Sequence, residues 1–200
     1  MRMARPLPLA LTLVGLMLIG GCASPPAALQ GPPASLPNGV TVEQMVASIR
    51  DAGTTSQTEL DIQPLRDPQV EDLRQQAEVL QSAGDYQAAA ALLQQALEVN
   101  PDDPAVLQEA AEAHVYLWRF DEAEEMARRA QGLGSGVGPL CRRHWATVEQ
   151  IAQARLAMAA DPATGRDDET AARIAQQARV DVVAAREARQ ACTVSAPQRF

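Results

Sequence analysis

Residues 86–96 have the sequence YQAAAALLQQA, and residues 120–130 repeat its pattern as FDEAEEMARRA, 34 residues further along the chain. A pattern that returns at a fixed spacing of this size predicts stacked copies of one helical unit. The same shift matches five pairs of residues: Leu73 with Leu107, Ala77 with Ala111, Tyr86 with Phe120, Ala89 with Ala123, and Ala96 with Ala130. An ordinary amphipathic helical bundle is the alternative, but it has no reason to keep one register over five positions.

The repeat resembles the tetratricopeptide repeat, most clearly over residues 70–103. Gly84-Asp85-Tyr86 matches the turn between the first helix (A) and the second helix (B) of that repeat, and Asn100-Pro101 matches its end. Ala89 stands where helix B crosses helix A. Two helices that cross closely need a small residue at the contact, because a larger side chain would push the backbones apart.

The second copy, residues 104–137, departs from this pattern in three places. Trp118 stands at the glycine of the turn, Ala127 at a position that usually carries a larger residue, and Ser135 where proline is usual. Residues 138–160 could begin a third, divergent repeat, although the bulk of Trp145 near the small-residue position argues against it. Repeats need neighbours to bury their faces, so further helices are expected after the second copy.

The expected fold is all-α: two repeats over residues 68–137, a long helical hairpin over 138–192, and a tail over 193–200. Abundant alanine and only 3% aromatic residues favour helices over strands. The expected hairpin turns at the sequence DPATG, residues 161–165. A disordered tether is expected to precede the repeats.

The family resemblance also implies a binding groove, because such repeats hold peptides or partner helices against their A helices. Register carries the groove onto seven positions here: Arg74, Glu78, Gln81, Gln108, Glu112, Val115 and Tyr116. Tyr116 and Trp118 are candidate anchors, since aromatic residues dominate binding energy at interfaces. Both equally suit the core, and the other positions equally suit an exposed helix face.

The first 21 residues have the layout of a secretory signal. Arg2 and Arg5 precede an apolar run that ends in Leu-Ile-Gly-Gly-Cys22, and this run is too short to favour a permanent membrane span. The ending resembles the lipobox of bacterial lipoproteins, which implies cleavage before Cys22 and acyl chains such as palmitate on that cysteine. Ala23, in place of the aspartate that favours inner-membrane retention in that family, implies the outer membrane. An ordinary signal peptide with an incidental cysteine is the alternative.

Residues 22–67 are expected to form a tether between this anchor and the repeats. Residues 23–39 are rich in proline and small residues and lack the means to bury a core. A short helix is expected at about 41–51, because residues 41–44, TVEQ, match a capping box. Its apolar residues fall on one face: Val42, Met45, Val46 and Ile49.

If Cys22 carries lipid, Cys141 and Cys192 remain as an even pair in an oxidising compartment. They lie about 20 and 25 residues from the expected turn of the hairpin, which brings both to its open end at about 1.5 Å per residue. The sequence therefore predicts a disulfide between Cys141 and Cys192. Cys141 and His144 also have the spacing of two metal ligands on one helix, but no second ligand cluster accompanies them, and no metal is expected.

Composition and motifs exclude several function classes. The net charge of −8 and the absence of a basic stripe argue against nucleic acid as a partner. No nucleophile, general base or phosphate loop stands out, so neither catalysis nor a cofactor is expected. The leading hypothesis is a periplasmic scaffold that binds envelope proteins and is held at the outer membrane by its lipid. The alternatives are a structural lipoprotein that self-associates and, less favoured, an envelope enzyme or metal carrier.

Overall fold

The computed structural model of this chain describes residues 32–54 and 66–193. Within these ranges the structure is helical and no strand occurs, which confirms the all-α prediction for the described residues. A short 3₁₀ turn, Pro162–Thr164, separates the last two helices. The α-helices are α1 (Val42–Ala52), α2 (Pro68–Ser82), α3 (Tyr86–Val99), α4 (Pro104–Tyr116), α5 (Phe120–Leu133), α6 (Pro139–Ala159) and α7 (Asp168–Ala191).

Helices α2 and α4 begin with the same two residues, an aspartate cap followed by proline. The Asp67 side chain accepts a hydrogen bond from the Gln69 amide at 2.8 Å, and the Asp103 side chain accepts one from the Ala105 amide at 2.9 Å. Proline suits the first helical position because its missing N–H would have no helical partner there. The local chemistry thus starts helix A of both repeats in the same way.

The turns between the two helices of each repeat also share one backbone conformation. Gly84 has a φ of 80°, and Trp118, its counterpart 34 residues later, has a φ of 60°. A bulky residue is rarely found in this left-handed region, where glycine is favoured. Asp85 caps α3, whereas Arg119 provides no side-chain cap for α5. The second turn therefore keeps the repeat geometry with less favourable local chemistry.

The alanines of the repeat lie at the helix crossings. Each matched alanine is at most 1% exposed: Ala77, Ala89, Ala96, Ala111, Ala123 and Ala130. Four of them, Ala77, Ala89, Ala96 and Ala130, join larger residues such as Val70, Leu93 and Leu107 in the core between α2, α3, α4 and α5. Ala123 belongs to the cluster that contains the buried face of α1, and Ala111 to a third cluster that reaches α7. Small side chains allow the close approach that the alanine pattern predicts.

Helices α6 and α7 pack along each other as a hairpin and are longer than the helices of the two repeats. Cys141, at the start of α6, and Cys192, just after α7, form a disulfide with their Cα atoms 5.8 Å apart. The Gly138 amide also donates to the Cys192 carbonyl at 2.8 Å. Both links hold the open end of the hairpin together.

Helix α1 differs from the expectation for the tether. Its apolar face is buried against α4 and α6, with Val46 and Ile49 fully covered, and Leu36 before it is only 3% exposed. The capping box at Thr41 and Gln44 is present as the sequence predicts. Assignment of residues 36–52 to a tether is therefore wrong, because their apolar side chains are part of the folded core.

Several predictions concern residues outside the described ranges: the signal sequence, the lipid on Cys22, the first part of the tether and most of the tail. Residues 55–65, between α1 and α2, also lie outside them. Across 32–54 and 66–193, none of the helices combines the length and the hydropathy needed to cross a membrane.

Candidate binding groove

A groove of about 470 Å³ lies between α1 and α2, with α4 below it. Arg50 and Gly53 come from α1 and its end, Arg74 and Glu78 from α2, and Arg143 from α6. Most of the lining side chains are polar or charged. The groove therefore suits a hydrogen-bonding, charged segment of a partner better than a purely apolar one.

Glu112 forms the charged centre of the floor. Its carboxylate is fully buried and accepts hydrogen bonds from Arg50 at 2.9 Å, from Gln108 at 2.9 Å and from Arg143. Burial alone would lower the pKa of Arg50, but the hydrogen bond and charge of Glu112 raise it overall. A buried carboxylate is tolerated only with such partners, so Glu112 ties three helices together.

Arg74 forms a second charged cluster beside it. Its guanidinium bonds Glu109 through two nitrogens and Glu71 through a third, the latter at 2.6 Å. The paired bonds to Glu109 fix the orientation of the guanidinium in addition to balancing its charge. Glu78, one turn further along α2, is exposed, and its carboxylate has no hydrogen-bond or ion-pair partner among the described residues. It is the groove carboxylate most open to a basic group on a partner.

His144 lies behind the floor and is 1% exposed. Its Nδ1 is 2.8 Å from the Gln108 side-chain oxygen, so Nδ1 carries the proton and Nε2 is left as an acceptor. Nε2 has no partner among the described residues. Burial lowers the pKa of His144 to about 4, and the charge of Arg143 acts in the same direction.

This imidazole should make the fold sensitive to acid. The unfolded chain binds a proton on His144 near pH 6.5, whereas the folded chain does so only near pH 4. The contribution of His144 to the free energy of unfolding should therefore be fully present above pH 6.5. It should fall by roughly 3 kcal/mol as the pH is lowered to 4. Urea unfolding at a series of pH values measures this slope.

The variant His144→Gln should lose most of that slope between pH 6.5 and 4. His114→Gln is the control, because His114 is only half-buried and its pKa is lowered less by the same cause. Equal slopes in wild type and His144→Gln would show that other groups are responsible for the acid sensitivity.

Residues 80–132 match the family model of the tetratricopeptide repeat. The chain contains tetratricopeptide repeats. Among solved structures, the globular C-terminal domain of LpoP from P. aeruginosa is 31% identical, over 57% of this chain and 99% of that one, with a TM-score of 0.41. The curated proteins include no match.

In tetratricopeptide terms, α2 and α4 are A helices, and six of the seven predicted groove positions fall into two sets in the structure. Arg74, Glu78 and Gln81 line the open groove. Gln108, Glu112 and Val115 are fully buried, so their prediction as partner contacts is wrong in this conformation. The physical reason is α1, which lies on this face of α4 together with α6 and covers it.

The aromatic candidates serve mainly as packing. Tyr116 stacks on Tyr86 with ring centroids 4.0 Å apart and planes 3° from parallel. Trp118 packs against Phe120 at 5.6 Å, and both Tyr116 and Trp118 border the apolar cluster that contains the buried face of α1. Tyr116 is half-buried, so a role in packing fits it better than a role as an anchor for a partner.

The groove predicted from the repeat register did not include Arg50, Glu109 and Arg143, which line it from α1, α4 and α6. A signal was available for α1: a helix with one apolar face requires a covering surface. Nothing in the local pattern states which surface that is. Within the described residues no cluster of His, Cys, Asp and Glu suits a metal ion.

Proposed function

We propose that this chain is a lipid-anchored scaffold that holds an envelope protein in the groove between α1 and α2. The observation that carries the proposal is this groove, which lies between α1 and the A helices of the tetratricopeptide repeats and is lined by Arg74, Glu78 and Gln81. Binding and alignment of a partner, rather than catalysis, is the role that these residues support. The processes open to such a scaffold are pilus or secretin assembly, outer-membrane protein insertion and control of cell-wall enzymes.

The proposed location rests on the sequence at Cys22. Acyl chains there would hold the repeats at the periplasmic face of the outer membrane, since about two chains are needed for stable anchoring. Residues 23–35 would then form the spacer between the lipid and the first buried residue, Leu36. The negative charge of the chain gives lipid headgroups little attraction of their own, so the anchor would supply the membrane contact.

The variant Cys22→Ser tests the anchor. Wild-type protein should take up labelled palmitate and fractionate with outer membranes in a density gradient. The variant should remain unlabelled and keep its signal sequence, because the thiol is the group that receives the lipid. Normal labelling or processing of the variant would contradict lipidation at Cys22.

The groove is tested by reversing one charge on its wall. Glu78→Arg should reduce recovery of a specific envelope protein at least tenfold in a quantitative pull-down with the mature chain. Glu98→Arg is the matched control: it makes the same change in the second half of α3, on an exposed residue outside the groove. Partners recovered equally with both variants would exclude this groove as their site.

A further inference from the structure

Helix α1 is bound to the repeats in the way that a partner helix would be. Its buried residues Val42, Met45, Val46 and Ile49 follow the i, i+3, i+4, i+7 spacing of an amphipathic helix in a groove. They share one buried cluster with Val115 of α4 and with Ala146, Ile151 and Ala154 of α6. We call this surface of α4 and α6 the α1 site.

A charged contact supplements the apolar ones. Arg50, at the end of α1, bonds the buried Glu112 at 2.9 Å and the Gln81 side chain at 2.7 Å. The α1 site thus recognises four apolar residues followed by an arginine one residue after the last of them. Because the buried carboxylate of Glu112 needs a positively charged partner, the arginine contributes to recognition.

The repeats have a core of their own beneath this surface. The cluster formed by α2, α3, α4 and α5, which includes Val70, Leu93 and Leu107, takes no residue from α1. The α6–α7 hairpin is closed by the disulfide and packs against α5 as well. Both parts therefore keep most of their packing if the α1 site is emptied.

Helix α1 itself depends on the site. It has 11 residues, and an isolated helix of this length is marginal in water. Among the described elements its main contacts are with α4 and α6. It is the first of the described helices and lies outside the loop that the Cys141–Cys192 disulfide closes, so it can leave without passing through that loop.

We propose that α1 is an internal ligand of the repeats, and that the α1 site accepts an amphipathic helix of the same chemistry from a partner. The α1 site differs from the groove between α1 and α2, because a partner can enter it only when α1 leaves. A helix bound there would therefore be a second class of partner for the proposed scaffold. Such a partner presents apolar residues at i, i+3, i+4 and i+7 and an arginine at i+8. Because it competes with a ligand attached to the same chain, it must overcome an effective concentration in the millimolar range.

The test uses the full mature chain with the double change Val46→Asp and Ile49→Asp, which expels α1 from the site. A fluorescent peptide of residues 40–54 is the probe, and the same peptide with Ile49→Asp is its control. By fluorescence anisotropy, the double variant should bind the probe at least tenfold more tightly than wild type does. The control peptide should not bind, and a probe with Arg50→Gln should bind more weakly because it leaves Glu112 without that partner.

Circular dichroism of the double variant decides the remaining cases. A folded variant that binds the probe supports the inference. Loss of most helical signal would show that α1 is a structural part of the fold, and a folded variant that ignores the probe would show that the site takes no helix in trans; either result overturns it. If the probe binds but no envelope protein depends on Glu78, the scaffold proposal fails while the internal ligand stands.

Discussion

Replacement of Glu112 by glutamine is expected to destabilise the fold by about 3 kcal/mol, the low end of the loss seen when one member of a buried ion pair is removed. The low end applies because Arg50 and Arg143 remain 48% and 24% exposed in their side chains and keep part of their hydration. Glutamine has nearly the same shape, so packing is conserved and the change measures charge and hydrogen bonding. Urea unfolding followed by circular dichroism gives the value.

Glu109→Gln provides the control for this effect. Glu109 lies on the same helix and bonds Arg74, but its side chain is 22% exposed whereas that of Glu112 is fully buried, so its replacement is expected to cost less stability. A Glu112→Gln variant that loses no more stability than Glu109→Gln would show that the buried carboxylate does not organise α1, α4 and α6.

Loss of the disulfide should have the largest effect. In the double variant Cys141→Ser and Cys192→Ser, the unfolded chain regains the freedom of a loop whose ends are 51 residues apart. The chain-entropy model gives a loss of about 4 kcal/mol for a loop of this size. Thermal or urea unfolding measures it, and wild-type protein in the presence of reductant should show a similar loss.

Thiol titration of the denatured wild-type protein tests the bond directly. The Cys141–Cys192 pair should give no free thiol before reduction and two afterwards, once Cys22 is accounted for by its lipid. Two reactive thiols in protein folded in the periplasm would contradict the pairing.

The repeats could be predicted from the sequence because their geometry is local. Alanine at the crossing, a tight turn and an aspartate cap each act within a few residues. The alanines and the turn recur after 34 residues, and the aspartate caps of α2 and α4 recur after 36. Even Trp118, which breaks the pattern, adopts the backbone conformation of Gly84, since the surrounding helices dictate the turn. Tertiary packing here prevails over the preference of one residue.

The binding surface could not be predicted in the same way. Gln108 and Glu112 are polar residues on an A helix, and such residues are usually exposed. They can be buried because side chains of two other helices replace their hydrogen bonds to water. Arg50 of α1 and Arg143 of α6 bond Glu112, and Thr147 of α6 bonds Gln108. These contacts join positions more than 30 residues apart. The amphipathic face of α1 was visible in the sequence, but the surface that it covers was not.

The unusual tryptophan at the turn also gives the molecule an optical probe. The chain has two tryptophans: Trp118 borders the apolar cluster of α1, whereas Trp145 borders a separate cluster near Ala185 of α7. Departure of α1 would admit water to the first indole and shift its emission to longer wavelengths, while the second would remain as before. With Trp145→Phe, the protein would carry a single tryptophan, whose emission would follow the occupancy of the α1 site in real time.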